Sequence, residues 1–200
     1  MDYKKILKEL VSIPAVSGFE NMSAERIKGY MVGKCDEVSI DSFFNVIGVK
    51  RGIGEPPKKI IITAHYDEIG FLVKSIDDKG FITLTSMGGI DPKLLLAQEV
   101  VIHGKRSIEG VIGAKPPHLL KPEETKKAVK LEDLSVDTGL DKDEVKNNIS
   151  IGDIVTIKVP FLELQGSKVS SKTMDNRSGV AAVIGIMNMI SDIKLNNDIY

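Results

Sequence analysis

Two short patterns in this sequence carry side chains suited to holding a metal ion. His65 and Asp67 form His-x-Asp at the end of the apolar run Lys59–Ala64. Side chains two apart on a strand point to the same face, so both can serve one site. Neutral imidazole is a good zinc or cobalt ligand, and a carboxylate beside it can orient a ligand or a catalytic water. The same spacing also describes a polar strand end bonded to loop backbone, and the tripeptide alone does not choose between them. Asp175 stands in Lys172-Thr173-Met174-Asp175-Asn176-Arg177-Ser178-Gly179, just before a long apolar-faced segment. Asp is a favoured helix N-cap, and on its neighbours alone capping is the stronger reading. The alternative is a carboxylate whose two oxygens bridge a pair of metal ions, with Asn176 and Arg177 as donors behind it. An oxygen committed to a backbone N–H is less available to a metal, so the two roles partly compete.

The remaining candidates carry weaker signals. Glu68 follows Asp67 and points to the opposite face of an extended strand, which favours a salt bridge or a loop role. His118, in Pro116-Pro117-His118-Leu119-Leu120, sits on a rigid loop where it can contact substrate, although a loop-packing histidine is the default. His103 follows an apolar strand without an acidic neighbour and reads as structural. Cys35 has no local His or Asp arrangement of a nucleophile. Gly52-x-Gly54 and Met87-Gly88-Gly89 lack the rest of any phosphate-binding pattern and read as turns.

The elements that must position these groups are legible in outline. Tyr3, Ile6, Leu7, Leu10 and Val11 recur at helical spacing, with Asp2 as N-cap and Pro14 ending the pattern. A second helix fits Glu20 to Met31. The period then changes: Val38 and Ile40, then Val46, Ile47 and Val49, predict two strands across a Ser-Phe-Phe-Asn link. After the Gly- and Pro-rich turn Gly52–Pro57, Lys59–Ala64 shows no alternation, which predicts a strand covered on both faces, with ligands at its carboxyl end. From Phe71 to Val159 come short β-like pieces (Phe71–Ile76, Phe81–Thr85, Glu99–His103, Ile154–Val159) with helical pieces near Glu123–Val129 and Lys142–Asn147. Such a run of short strands and glycines predicts a barrel-like module. Helical texture returns over Asp175–Ile193, where Val180, Val183, Ile184, Met187 and Ile190 make one face and Gly179 and Ala181 permit close approach to the sheet. Asp198-Ile199-Tyr200 reads as the opening of another strand. The expected organisation is an α/β domain over 1–70 and 164–200, with a β-rich insertion over 71–163.

Composition narrows the classes of partner. The chain of 200 residues is 42% hydrophobic and 28% charged, enough apolar material to offset the entropy of ordering. With 27 basic and 28 acidic residues its net charge is −1, which argues against nucleic acid or an anionic membrane as partner. One cysteine rules out an intrachain disulfide and a Cys-rich zinc cluster, leaving His, Asp and Glu as metal ligands. No apolar run reaches the roughly 18–20 residues that a membrane helix needs, and the N-terminus opens into an amphipathic pattern, so a soluble cytoplasmic protein is expected.

Five stretches in order resemble one family: Ser17-Gly18-Phe19-Glu20, Ala64-His65-Tyr66-Asp67-Glu68-Ile69-Gly70-Phe71, Gly88-Gly89-Ile90-Asp91-Pro92, Val111 to Leu120, and Asp175-Asn176-Arg177. Together they are similar to the tetrahedral or glutamyl aminopeptidases, whose members are often labelled cellulase M or endoglucanase. The resemblance implies a zinc-exopeptidase-like α/β sheet with helices on both faces, interrupted by a β-rich domain that builds large homo-oligomers. It implies His65 as metal ligand, Asp67 as the catalytic carboxylate supporting it, Asp175 as bridging ligand, two zinc or cobalt ions, and short peptides cut at their N-terminus. Tyr66 stands where the family commonly has Met, with its side chain expected to point away from the metal. In the family a strand after the long helix ends in paired glutamates, one of them the general base, and further ligands follow. None has a position here, so the chain is expected to be an N-terminal part, inactive by itself. Two other readings are a glucan hydrolase, which needs two carboxyl groups across a sugar and no metal, and a non-catalytic assembly module acting through the insertion.

Overall fold

The computed structural model describes residues 2–115 and 128–200. His118 and nearly all of the helix expected near Glu123–Val129 lie outside them. The chain divides into two compact units, Met1–Glu68 with Pro160–Tyr200, and Ile69–Val159. Helix α1 (Tyr3–Ser12) starts where the Asp2 side chain accepts from the Lys5 N–H at 3.1 Å, and it buries Ile6, Leu10 and Val11. Helix α2 (Asn21–Met31) buries Ala24, Ile27 and Met31. Strands β1 (Glu37–Ile40) and β2 (Val46–Val49) pair antiparallel. Their link is tied by the Asp41 carboxylate, which accepts from the Phe43 and Asn45 N–H groups. Strand β3 (Lys59–Ile60) then leads toward His65.

The second unit is a closed barrel. Strands β4 (Gly70–Ile76), β5 (Ile82–Met87), β6 (Glu99–His103), β7 (Ser107–Ala114), β8 (Leu134–Asp137) and β9 (Ile154–Ile157) run in the order β4-β5-β8-β7-β6-β9, antiparallel throughout. Alternate residues point inward, so Phe71, Val73, Ile82, Val100, Ile102, Ile112, Val136 and Val155 fill the interior. Helix α3 (Lys142–Asn148) is capped by Asp141 and adds Val145 to that core.

The chain returns to the first unit through the hairpin of β10 (Leu162–Glu163) and β11 (Val169–Ser170), helix α4 (Met174–Ile190) and β12 (Asp198–Ile199). Strand β12 pairs parallel with β3 on one side, and its Ile199 exchanges two 2.8 Å backbone bonds with Lys50 on the other. Ile6 and Leu10 of α1, Ile27 and Met31 of α2, and Val180, Ile184 and Met187 of α4 share one core with Ile199. Each such side chain, fully buried, contributes about 1.5–3 kcal/mol.

Two expectations are corrected here. The run Lys59–Ala64 is not covered on both faces. Ile62 and Ala64 pack against the core, while Ile61 is 75% exposed and no described element of this unit buries it. Apolarity shows what a strand tolerates, not what covers it. Nor does Gly179 serve approach to the sheet: a Cβ there would stand 2.3 Å from Asn176 Oδ1, so the missing side chain makes room for the Asn176 amide.

Candidate functional site

Beyond Ile60 the strand assignment ends, but the Ile62 N–H still bonds to the Tyr200 carbonyl at 2.8 Å, and the chain runs on to His65 and Asp67. Asp175 comes from the start of α4. Asp175 and Asn176 have non-helical backbone angles, joined by a cis peptide, so the helical run of α4 begins after them. Capping falls to the next residue, whose Oδ1 accepts from the Gly179 N–H at 3.2 Å. The capping role that local sequence favoured for Asp175 therefore belongs to Asn176, and the Asp175 carboxylate, 95% exposed, is not engaged in the cap.

The three side chains meet. His65 Nδ1 lies 3.2 Å from Asp67 Oδ1, and His65 Nε2 lies 3.1 Å from Asp175 Oδ1. Ser17 donates to the other oxygen of Asp67 at 2.8 Å. Both ring nitrogens face a carboxylate oxygen, so the partners alone do not choose the tautomer; a proton on Nδ1, donated to Asp67, would turn the Nε2 lone pair toward Asp175. Two acceptors at 3.1 Å repel unless a proton on Nε2 or a metal ion stands between them. Imidazole with a carboxylate on its far nitrogen is the usual outer arrangement of a metal-bound histidine. Among the described residues, no group of three or more His, Cys, Asp or Glu is arranged to hold a metal. Among the described residues, His65 and Asp175 make a pair of candidate donors where zinc takes three or four ligands.

Behind the pair lies a buried ionic cluster. Glu68 and Arg177 side chains are 3% and 2% exposed. Glu68 Oε2 accepts from Lys172 Nζ at 2.6 Å, and its Oε1 from the Ala15 N–H at 3.0 Å and from Arg177 at 3.4 Å. Arg177 also donates to the carbonyls of Leu10, Ile13 and Tyr66. Burial lowers the pKa of both Lys172 and Arg177, opposed by the charge of Glu68. The salt-bridge role expected of Glu68 is what it has. Arg177, expected behind Asp175, turns instead to α1.

Tyr66 donates to the Phe44 carbonyl at 2.5 Å, away from Asp175, and burial pushes its hydroxyl up to about 12. Elsewhere, His103 Nε2 sits 2.9 Å from Thr156 Oγ1 within the barrel unit. Burial raises the Cys35 thiol pKa, the opposite of what a nucleophile needs. An apolar cleft of about 530 Å³ lies along the segment beyond Ile60, lined by Ile61, Ile62, Val180, Val183 and Met187, with His65 and Asp67 on its wall. No helix among the described residues is long and apolar enough to cross a membrane.

Comparison with known proteins places this geometry in context. The TET aminopeptidase of a marine sediment Thaumarchaeota archaeon superposes at a TM-score of 0.91, with 32% identity over 99% of this chain and 57% of that one. The TET1 peptidase of Pyrococcus horikoshii, which can assemble into a tetrahedron or a large octahedral shell, gives 0.84 with 32% identity over 99% and 59%. An endoglucanase from Thermotoga maritima gives 0.81 with 33% identity over 96% and 56%. The chain spans 53–57% of the length of curated relatives it matches. Residues 45–200 match the family model of the M42 glutamyl aminopeptidases. On that match, over most of its length and including His65, Asp67 and Asp175, the chain belongs to the M42 glutamyl aminopeptidase family.

Proposed function

We propose that this chain carries the N-terminal part of a co-catalytic metal centre that removes N-terminal residues from short peptides. The observation that carries the reading is His65 held by Asp67 on one nitrogen and facing Asp175 across 3.1 Å with the other. In this reading His65 and Asp175 hold divalent ions, zinc or cobalt, and Asp67 fixes the tautomer and the plane of the ring. Bound metal would lower the pKa of a water and polarise the peptide carbonyl. Ser17 keeps Asp67 from rotating away, and the second oxygen of Asp175 is free to reach a neighbouring ion. Two side chains hold an ion weakly, so the 200-residue chain by itself is proposed to be inactive. Self-assembly through the barrel unit and a cytoplasmic location belong to the same proposal, supported by the shells formed by the Pyrococcus horikoshii peptidase and by the chain's balanced charge.

The test is release of amino acids from aminoacyl-anilides. The chain alone should give none, and a longer reading frame from the same gene should give chelator-sensitive release. Chelator-sensitive release by the 200-residue chain would contradict its inactivity. Chelator-resistant hydrolysis of soluble glucan would favour the endoglucanase chemistry instead, in which His65, lodged between the two carboxylates, has no assigned part.

A further inference from the structure

We propose that Glu68 is a positioning residue: its carboxylate, shared by Lys172 and Arg177, sets the spacing between His65 and Asp175. The proposal rests on the site reading above but concerns a residue which that reading leaves unused. His65 and Asp175 come from segments 110 residues apart, and the only described contact between their side chains is the 3.1 Å approach itself. Something stiffer must hold the segments in register. Glu68 is one residue beyond Asp67, and Lys172 and Arg177 flank Asp175 at three residues before and two after. The bonds from Glu68 to both cations therefore bracket the Asp175 turn.

The bracket extends to the third segment. Ala15 and Glu68 exchange two bonds, Ala15 N–H to the Glu68 carboxylate and Glu68 N–H to the Ala15 carbonyl. Two residues further on, Ser17 holds Asp67. Arg177 closes the ring by donating to the carbonyls of Ile13 and Tyr66. One buried carboxylate thus ties together the segments that present Ser17, His65, Asp67 and Asp175. The turn it brackets is strained: Thr173, a β-branched residue, has φ of +60°, a conformation that persists only where its surroundings over-determine it.

The experiment follows the His65 ring by nitrogen-15 NMR, first without metal and then during a cobalt titration that reads weak binding through paramagnetic broadening. Glu68→Gln keeps the size of the side chain and loses its charge. Lys172→Met removes one partner, and Lys172→Arg keeps the cation as the conservative rescue. Ile6→Ala, in the α1 core, serves as a destabilised control. Both Glu68→Gln and Lys172→Met should shift the His65 ring signals toward those of a free imidazole and weaken the cobalt response by roughly 10-fold or more, the usual scale for outer partners of a metal ligand. Lys172→Arg and the Ile6→Ala control should stay near the wild type. If Glu68→Gln is unfolded by circular dichroism, the two Lys172 variants decide. His65 signals unchanged in the folded charge-removing variants would overturn the proposal, as would equal shifts in the Ile6→Ala control. A wild-type chain with no cobalt response would instead overturn the metal reading, while the metal-free ring signals would still judge the positioning role.

Discussion

The carboxyl of Asp198 is buried, accepting from the Gly52 N–H at 2.8 Å and from Arg51 at 3.3 Å. The Gly52 bond first, and Arg51 after it, hold its pKa below the ordinary value of 3.8, against the opposite pull of burial. A carboxyl lowered on folding contributes stability above its unfolded pKa and loses it as the pH falls through the folded one. Asp198→Asn should therefore melt below the wild type at pH 7, and the gap should close as the pH drops below about 4. Melting curves of both proteins between pH 7 and 3 check this, and a constant gap would refute it. At this scale, legibility depended on how local the signal was. His65 and Asp67 stood out as candidates by residue type and a two-residue spacing, although that spacing fits a polar strand end equally well. The cluster of Glu68, Lys172 and Arg177 did not stand out, because its partners lie 104 and 109 residues from Glu68 and leave no local pattern. Asp175 was half legible: Asp and Asn both cap helices, and only the backbone angles assign the cap to Asn176.

Helices were the elements most readily seen, because their apolar period and, for α1, the Asp2 cap mark them locally. Strands β7 and β8 carry little local signal. Gly110 and Gly113 interrupt the first, and the second has only four residues. Close backbone approach was equally hidden. Gly52 reads as a plain turn glycine, yet a Cβ there would lie 2.5 Å from the Asn197 carbonyl carbon and 2.7 Å from its oxygen. Those atoms belong to the backbone entering β12 and cannot rotate aside. Glycine to alanine in an unstrained place stabilises by about 0.4–1 kcal/mol through the unfolded chain. Here the overlap should reverse the sign and cost about 1–3 kcal/mol. Urea unfolding of Gly52→Ala measures the balance, and a midpoint at or above the wild type would show that β12 yields easily.

Over the whole molecule, the two units differ in how completely each closes its own surface. The barrel has no free edge: each of its six strands has a bonded neighbour on both sides, and its core draws on every strand. It also begins and ends at adjacent strands, with Phe71 paired to Val155 and Leu72 to Ile154, so cutting the chain on either side separates no pairing. The first unit leaves Ile61 exposed beside an apolar cleft and buries most of its core through helices. Exposed apolar surface is a site of association and of weaker local stability. The segment 69–159 expressed alone should therefore refold as a β-rich domain with one cooperative melting transition. The full chain should melt in two steps, the first exposing dye-binding apolar surface and leaving the barrel's circular dichroism intact. Calorimetry of the chain and of the excised segment tests both statements together. A single transition in the chain, with a disordered excised segment, would mean that the barrel depends on its neighbour despite its closed sheet.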